Sequence, residues 1–369
     1  MTSRSYTCAI VGTGAIAGAH AEAIAQLAGR ARLVGAVDVD ADRAAAFAAS
    51  WDVPAYPTPA ALLQDGRPDL VHVCTPPGTH LPLALECLAA GAVPVVEKPP
   101  VLSLAGVDRL RAAEEATGVP MATVFQHRFG SGAVRLRRLV AEGALGRPLV
   151  ASASTLWFRD DDYFAVPWRG KWELEGGGPT MGHGIHQFDL LLSILGPWRS
   201  VTAIAARQAR PTDTEDVSAA LVRFESGAVA TVVNSLVSPR QTSQLRFDFE
   251  RATVDLEHLY GYTDAHWTFT AAPTAPDVAS AWDSGPTDTP SGHTAQLAAV
   301  LDALDTGGTP PVSTADTRMT MEFVAAVYAS AFTGGTVEQG EITDGHPFYD
   351  SMAGTGAPWP TTSDLRSSR

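Results

Sequence analysis

Residues 6–17, Tyr-Thr-Cys-Ala-Ile-Val-Gly-Thr-Gly-Ala-Ile-Ala, decide the fold. A short apolar strand, Tyr6 to Val11, runs straight into Gly12-Thr13-Gly14, and an alanine-rich segment from Ala15 to Leu27 reads as a helix. Strand, glycine turn and helix in that order make a phosphate-binding turn. Gly12 and Gly14 permit the tight turn and the approach of backbone to a pyrophosphate. The helix start at Ala15 and Ile16 supplies N–H groups and a positive dipole end, with Ala17 at the third small position. The next strand, Leu33 to Val37, ends at Asp38, placed to accept ribose hydroxyls. A carboxylate there repels a 2′-phosphate, and Val39 rather than an arginine follows, so NAD is expected over NADP.

Outward from this stretch the rhythm continues. A helix is expected over Ala41–Ala49 and strands over Leu70–Cys74, Val93–Val96 and Met121–Phe125. Helices are expected over His80–Ala90, closed by Gly91, and Leu104–Ala116. Apolar strands alternating with helices predict a doubly wound parallel sheet over residues 1–125. Thr75-Pro76-Pro77 stands at the carboxyl end of a strand, where such sheets bind ligands, and His80 either touches the cofactor or caps its helix.

From residue 126 the pattern changes. Helices are expected at Val134–Glu142 and Met181–Leu195. Strands follow at Leu149–Phe158, Val201–Arg207, Val217–Phe224, Ala228–Leu236, Gln244–Glu250 and Thr253–Glu257, with a hairpin at Glu225-Ser226-Gly227. This predicts a second, α+β domain over 126–369 with an open, largely antiparallel sheet. Residues 271–290 read as a surface loop, Thr294–Asp305 and Thr314–Phe332 as helices, and the chain from Gly356 as a loose tail.

The 369 residues suit two cores, and 45% hydrophobic with 18% charged residues is a globular composition. A net charge of −14 argues against nucleic-acid and anionic-membrane partners, which need a basic footprint. Cys8, Cys74 and Cys87 are scattered, and no apolar run reads as a signal peptide or a bilayer span, so a cytoplasmic protein is expected. No His, Cys, Asp or Glu cluster has metal-ligand spacing, and no metal is expected; His20 and His72 read as structural.

Together with the opening turn and Asp38, the stretches CTPPGTH (74–80), VEKPP (96–100), GGGPTMGHGIHQFD (176–189) and VRFESGAVAT (222–231) resemble the Gfo/Idh/MocA oxidoreductases. That family is named for glucose–fructose oxidoreductase and inositol dehydrogenase. The resemblance implies substrate held between a Rossmann domain and an open sheet, and hydride exchange with a secondary alcohol of a sugar, inositol or related polyol. It also implies a homo-oligomer, a dimer or tetramer, formed through the open sheets. Glu97, Lys98 and Gln126 join the cofactor residues on this ground.

Two groups are candidates for the chemistry. Lys98, beside Pro99, reads as the cation that holds the reacting oxygen, and its alternative is a simple pair with Glu97. A histidine, whose unperturbed pKa is about 6.5, suits reversible proton transfer, which makes His186 the proton acceptor, and Asp189 on the same helical face is placed to orient it or to cap a neighbour. Many family members carry an Asp one turn before this histidine, where this chain has Gly182. Either His186 works with Lys98 alone, or His183, Tyr163 or an Asp from 160–162 fills in. Trp157, Asp161, Tyr163, Trp168, Arg169 and Lys171, with Arg128 and His183, are candidates for substrate contact, because aromatic faces stack on sugar C–H surfaces and charged groups bind hydroxyls. Two further readings stand beside the dehydrogenase: a redox-neutral enzyme that retains NAD, and a silent sugar- or NAD-sensing protein.

Overall fold

A computed structural model describes residues 4–360 of the chain; the end of the tail expected from Gly356, residues 361–369, lies outside them. The chain divides into two compact units. One comprises residues 1–101, 106–124 and 293–318, the other 102–105, 125–292 and 319–369. The single crossing expected at 125/126 is therefore corrected, because residues 293–318 return to the first unit. The reason is burial: Leu297, Val300 and Leu301 of helix His293–Asp305 sit in one core with Ala17, Ala21 and Ile24 of helix Ala17–Gln26.

The first unit holds a six-stranded, wholly parallel sheet of β1 (Tyr6–Val11), β2 (Ala31–Val37), β3 (Ala55–Tyr56), β4 (Leu70–Val73), β5 (Val93–Val96) and β6 (Ala122–Thr123). Its order is β3-β2-β1-β4-β5-β6, so the winding reverses between β1 and β4. β1, β4 and β5 are buried almost throughout, as strands covered on both faces must be.

The second unit is built on an eight-stranded sheet: β7 (Pro148–Phe158), β8 (Trp198–Ala206), β9 (Val217–Phe224), β10 (Val229–Ser235), β11 (Val237–Phe249), β12 (Ala252–His258), β13 (Trp267–Ala271) and β14 (Val337–Glu338). The order is β13-β12-β11-β7-β10-β9-β8-β14, and only β7 with β10 is a parallel pair. Alternation along the strands separates a covered face from an open one. Phe188 of helix Ile185–Leu195 and Trp198 meet Phe323 at 5.1 and 5.8 Å on the covered side, while Ile204 and Leu221 are 71% and 64% exposed.

Two local expectations need correction. Residues 271–290 are not loop throughout: Val278–Asp283 forms a helix, because Trp282 stacks on Phe269 at 5.1 Å and carries the Arg135 guanidinium 4.5 Å above its ring. The helix expected from Met181 begins as a wider π-helical turn, Thr180–Gly184, before the α-helix Ile185–Leu195. No helix among the described residues is long and apolar enough to cross a membrane.

Candidate active site

In the first unit the glycine turn and the Thr75-Pro76-Pro77 turn leave adjoining strands at the point where the winding reverses. Gly12 has a φ of +90°, and a Cβ there would lie 2.8 Å from the Cys74 backbone, so only glycine fits. Gly14 and Ala15 are exposed at the start of helix Ala17–Gln26, with no protein atom within 4 Å of the Cβ position of Gly14. Open backbone at a helix N-terminus is what a pyrophosphate requires. Thr13 and Ile16 shape the turn: Thr13 donates its N–H (2.7 Å) and hydroxyl (3.0 Å) to Asp38.

Asp38 is more heavily engaged than its sequence position suggests. Arg43 donates to both its oxygens, at 3.0 and 2.5 Å, and the Asp40 N–H donates at 3.0 Å. Burial alone would raise its pKa, but these donors together hold it well below the usual carboxylate range. Arg43 is 49% exposed. The residues fit NAD on these observations.

Three cofactor candidates do other work. The His80 ring is buried and bridges the carbonyls of Thr75 (2.7 Å) and Pro99 (2.8 Å), bracing one turn against the other. Glu97 is 6% exposed, and its Oε1 meets both His20 Nε2 (3.0 Å) and His293 Nε2 (3.1 Å), while Oε2 accepts the Lys98 N–H at 3.1 Å. Burial opposes its charge, and the imidazole donors outweigh that, holding the carboxyl well below its ordinary range. His72 adds a 2.8 Å contact to His20. This hub of His20, Glu97 and His293 escapes sequence spacing: both imidazoles meet one carboxylate oxygen, and the ligand atoms lie within 4.8 Å of one another, a grouping able to hold a metal ion where the sequence led to none being expected. Gln126 lies in the second unit, where its amide donates to the Tyr260 hydroxyl at 3.2 Å. Lys98 itself stands partly exposed just after β5, joined to Pro99 by a cis peptide.

In the second unit, His186 is 3% exposed on helix Ile185–Leu195, stacked on His127 at 4.7 Å and set edge-on to Tyr260 at 5.7 Å. Gly184 lets this helix close on β10, since a Cβ there would collide with Asn234. One turn before, the His183 Nε2 lies 3.2 Å from the Tyr163 hydroxyl, and its ring is edge-on to Trp157 at 5.1 Å. The Trp157 indole N–H donates to Ser243 at 3.0 Å, which fixes that ring. Arg169 donates to the Tyr163 hydroxyl and to Glu175 at 3.2 Å, and stacks 4.3 Å from Trp168.

Other candidates are placed elsewhere. Asp189 takes the Arg128 guanidinium at 2.7 and 2.6 Å, and both side chains are buried. Asp161 is 84% exposed and faces Arg210 at 3.4 Å, and Lys171 is exposed. The sequence reading missed Tyr260, His258 and Glu175. His258 ends β12 and Tyr260 stands two residues beyond it, and only the three-dimensional pairing with His127 reveals them.

Comparison with known proteins identifies the family. Residues 6–125 match the family model described as oxidoreductase family, NAD-binding Rossmann fold, and residues 133–255 match the GFO/IDH/MocA C-terminal domain. D-apiose dehydrogenase of Paraburkholderia graminis is 27% identical over 354 residues, 91% of this chain and 90% of that protein. Myo-inositol 2-dehydrogenase of Thermotoga maritima is 30% identical over 239 residues, 61% of this chain and 67% of the relative. The WlbA dehydrogenase of Bordetella pertussis, solved in complex with NADH and UDP-GlcNAcA, superposes with a TM-score of 0.82 at 26% identity, covering 92% of this chain and 98% of that one. The chain belongs to the Gfo/Idh/MocA family of oxidoreductases, and its first unit is that family's NAD-binding Rossmann domain.

Proposed function

We propose that this NAD-dependent dehydrogenase, or ketoreductase, acts on a secondary alcohol or ketone of a sugar, cyclitol or sugar derivative, with His186 and Lys98 as its catalytic residues. The observation that carries the reading is the setting of His186: a buried imidazole between His127 and Tyr260, one turn after the π-helical turn that presents His183 beside Trp157 and Tyr163. Aromatic faces for C–H surfaces with imidazole and phenol groups for hydroxyls are the chemistry a polyol needs. NAD, when bound, supplies the hydride acceptor. His186 takes the hydroxyl proton on oxidation and returns it on reduction, and the Lys98 ammonium hydrogen-bonds the reacting oxygen as charge develops on it. The relatives named above are dehydrogenases of a sugar and of an inositol, which supports the substrate class.

The protein works as a homo-oligomer through the open face of its large sheet, where Ile204, Leu221, Val229 and Val150 are exposed. Its three free, buried thiols suit the cytoplasm.

The test is NADH formation by purified protein with NAD across sugars, inositols and sugar acids, beside Lys98→Ala and His186→Ala. Loss of about 10²–10⁴-fold in kcat in both variants, with NAD binding retained, is the expected result. Turnover that survives both substitutions removes these residues from the mechanism.

A further inference from the structure

We infer that Glu175 is a positioning carboxylate that sets the protonation of His183, acting through Arg169 and Tyr163 from the space beside Gly182; its functional meaning rests on His183 meeting substrate as proposed above. Glu175 closes the single-turn helix Trp172–Glu175 and is 5% exposed. Its Oε2 accepts the Gly170 N–H at 2.6 Å, and its Oε1 accepts from Arg169 at 3.2 Å. A Cβ added at Gly182 would lie 3.6 Å from that Oε1, with no other atom within 4 Å outside its own helical turn. The carboxylate thus occupies the room that a side chain at position 182, the neighbour of His183, would enter.

The hydrogen-bond directions make this a relay. An arginine only donates, so the Tyr163 oxygen accepts from Arg169 and its own hydrogen is available to His183 Nε2 at 3.2 Å. Burial pushes the Tyr163 phenol up to about 12, so it remains a neutral link. Neutral His183 accepts there, and protonated His183 donates. The Arg169 guanidinium, 3.8 Å above the Tyr163 ring, disfavours the protonated form, and Glu175 offsets that charge. Trp157 also packs edge-on to His183; Arg159 lies 5.3 Å above the Tyr163 ring, and His186, one turn on, packs against His127 and Tyr260.

The experiment follows the His183 imidazole by NMR pH titration of histidine-labelled protein, assigned with His183→Gln, without substrate or cofactor. Glu175→Gln lowers the His183 pKa by about one unit, and Arg169→Gln raises it by a similar amount. Glu175→Ala with Gly182→Asp, which returns a carboxylate to the same space, restores the wild-type value. An unmoved titration in folded Glu175→Gln, or shifts of one sign in both single variants, overturns the inference. Should Glu175→Gln not fold, Arg169→Gln alone and Arg169→Gln/Glu175→Gln decide it, since the neutral pair returns toward wild type if Glu175 acts by charge. Opposite shifts without turnover of any polyol sink the functional reading and leave the relay standing. Turnover lost in His186→Ala with an unmoved His183 titration does the reverse.

Discussion

Asp189 grips Arg128 through two parallel N–H···O bonds, Nε to Oδ2 at 2.7 Å and Nη2 to Oδ1 at 2.6 Å, with no solvent exposure of the carboxylate. Thr320 adds a third donor at 3.3 Å. The pair ties the turn Gln126–Phe129, which carries His127, to the helix that carries His186. Removing one partner strands a buried charge, so Asp189→Ala costs about 3–5 kcal/mol in urea unfolding. Arg128→Met with Asp189→Leu recovers most of that loss. A loss no greater than that of a surface pair would show that the bridge is not buried in solution.

Asp38 and Arg43 give a prediction about cofactor choice. With the carboxylate in place, a 2′-phosphate meets a negative charge held by Thr13 and Asp40. Asp38→Ser removes that charge and releases Arg43, half-exposed, to pair with the phosphate. One charged hydrogen bond of about 1.5–3 kcal/mol corresponds to a shift of roughly ten- to a hundredfold in the NADP-to-NAD ratio of kcat/KM. Asp38→Ser/Arg43→Ala then gives back most of that gain. Unchanged preference in the single variant would place specificity elsewhere.

The open sheet face gives an independent prediction. Leu221 is 64% exposed on β9, with Thr231 of β10 opposite it in the antiparallel register. Leu221→Arg adds a charge beside Arg223 on this face and, in the homo-oligomer proposed above, lowers the assembly size in light scattering without loss of thermal stability of the protomer. Unaltered mass would move the interface off this face.

Local chemistry made the cofactor turn readable. Gly12, Gly14 and Asp38 declare themselves because the strand, the turn and the helix that use them are consecutive in the chain. The Glu97 hub did not, since its partners His20 and His293 are 77 and 196 residues away. His80 invited a cofactor reading because its ring follows a ligand-binding turn, and only coordinates show both nitrogens turned to carbonyls. The same holds at the substrate end. The missing side chain at Gly182 is legible, but the Glu175 carboxylate beside it arrives from a separate turn of helix. The helix Val278–Asp283 hid in a proline-rich run because Trp282 anchors it by tertiary contact rather than by propensity.

Glu215 supplies a pH dependence whose sign is fixed by its surroundings. It is 1% exposed, and it accepts the N–H groups of Gly178 and Thr180, each at 3.1 Å, and the Tyr328 hydroxyl at 2.8 Å. It therefore anchors the start of the turn that presents His183. Burial outweighs these donors and lifts its pKa from 4.5 to about 7. The native state then holds this proton more tightly than the unfolded chain does. The resulting stabilisation is complete below the unfolded value and is lost as pH rises through the folded one. Relative to Glu215→Gln, wild-type stability falls by about 1.4 kcal/mol per pH unit across this window, roughly 3 kcal/mol in all, and is level above it. Urea unfolding of both proteins between acidic and mildly alkaline pH measures the difference. A wild-type advantage that grows with pH instead would mean that the three donors prevail over burial and that Glu215 folds as the anion.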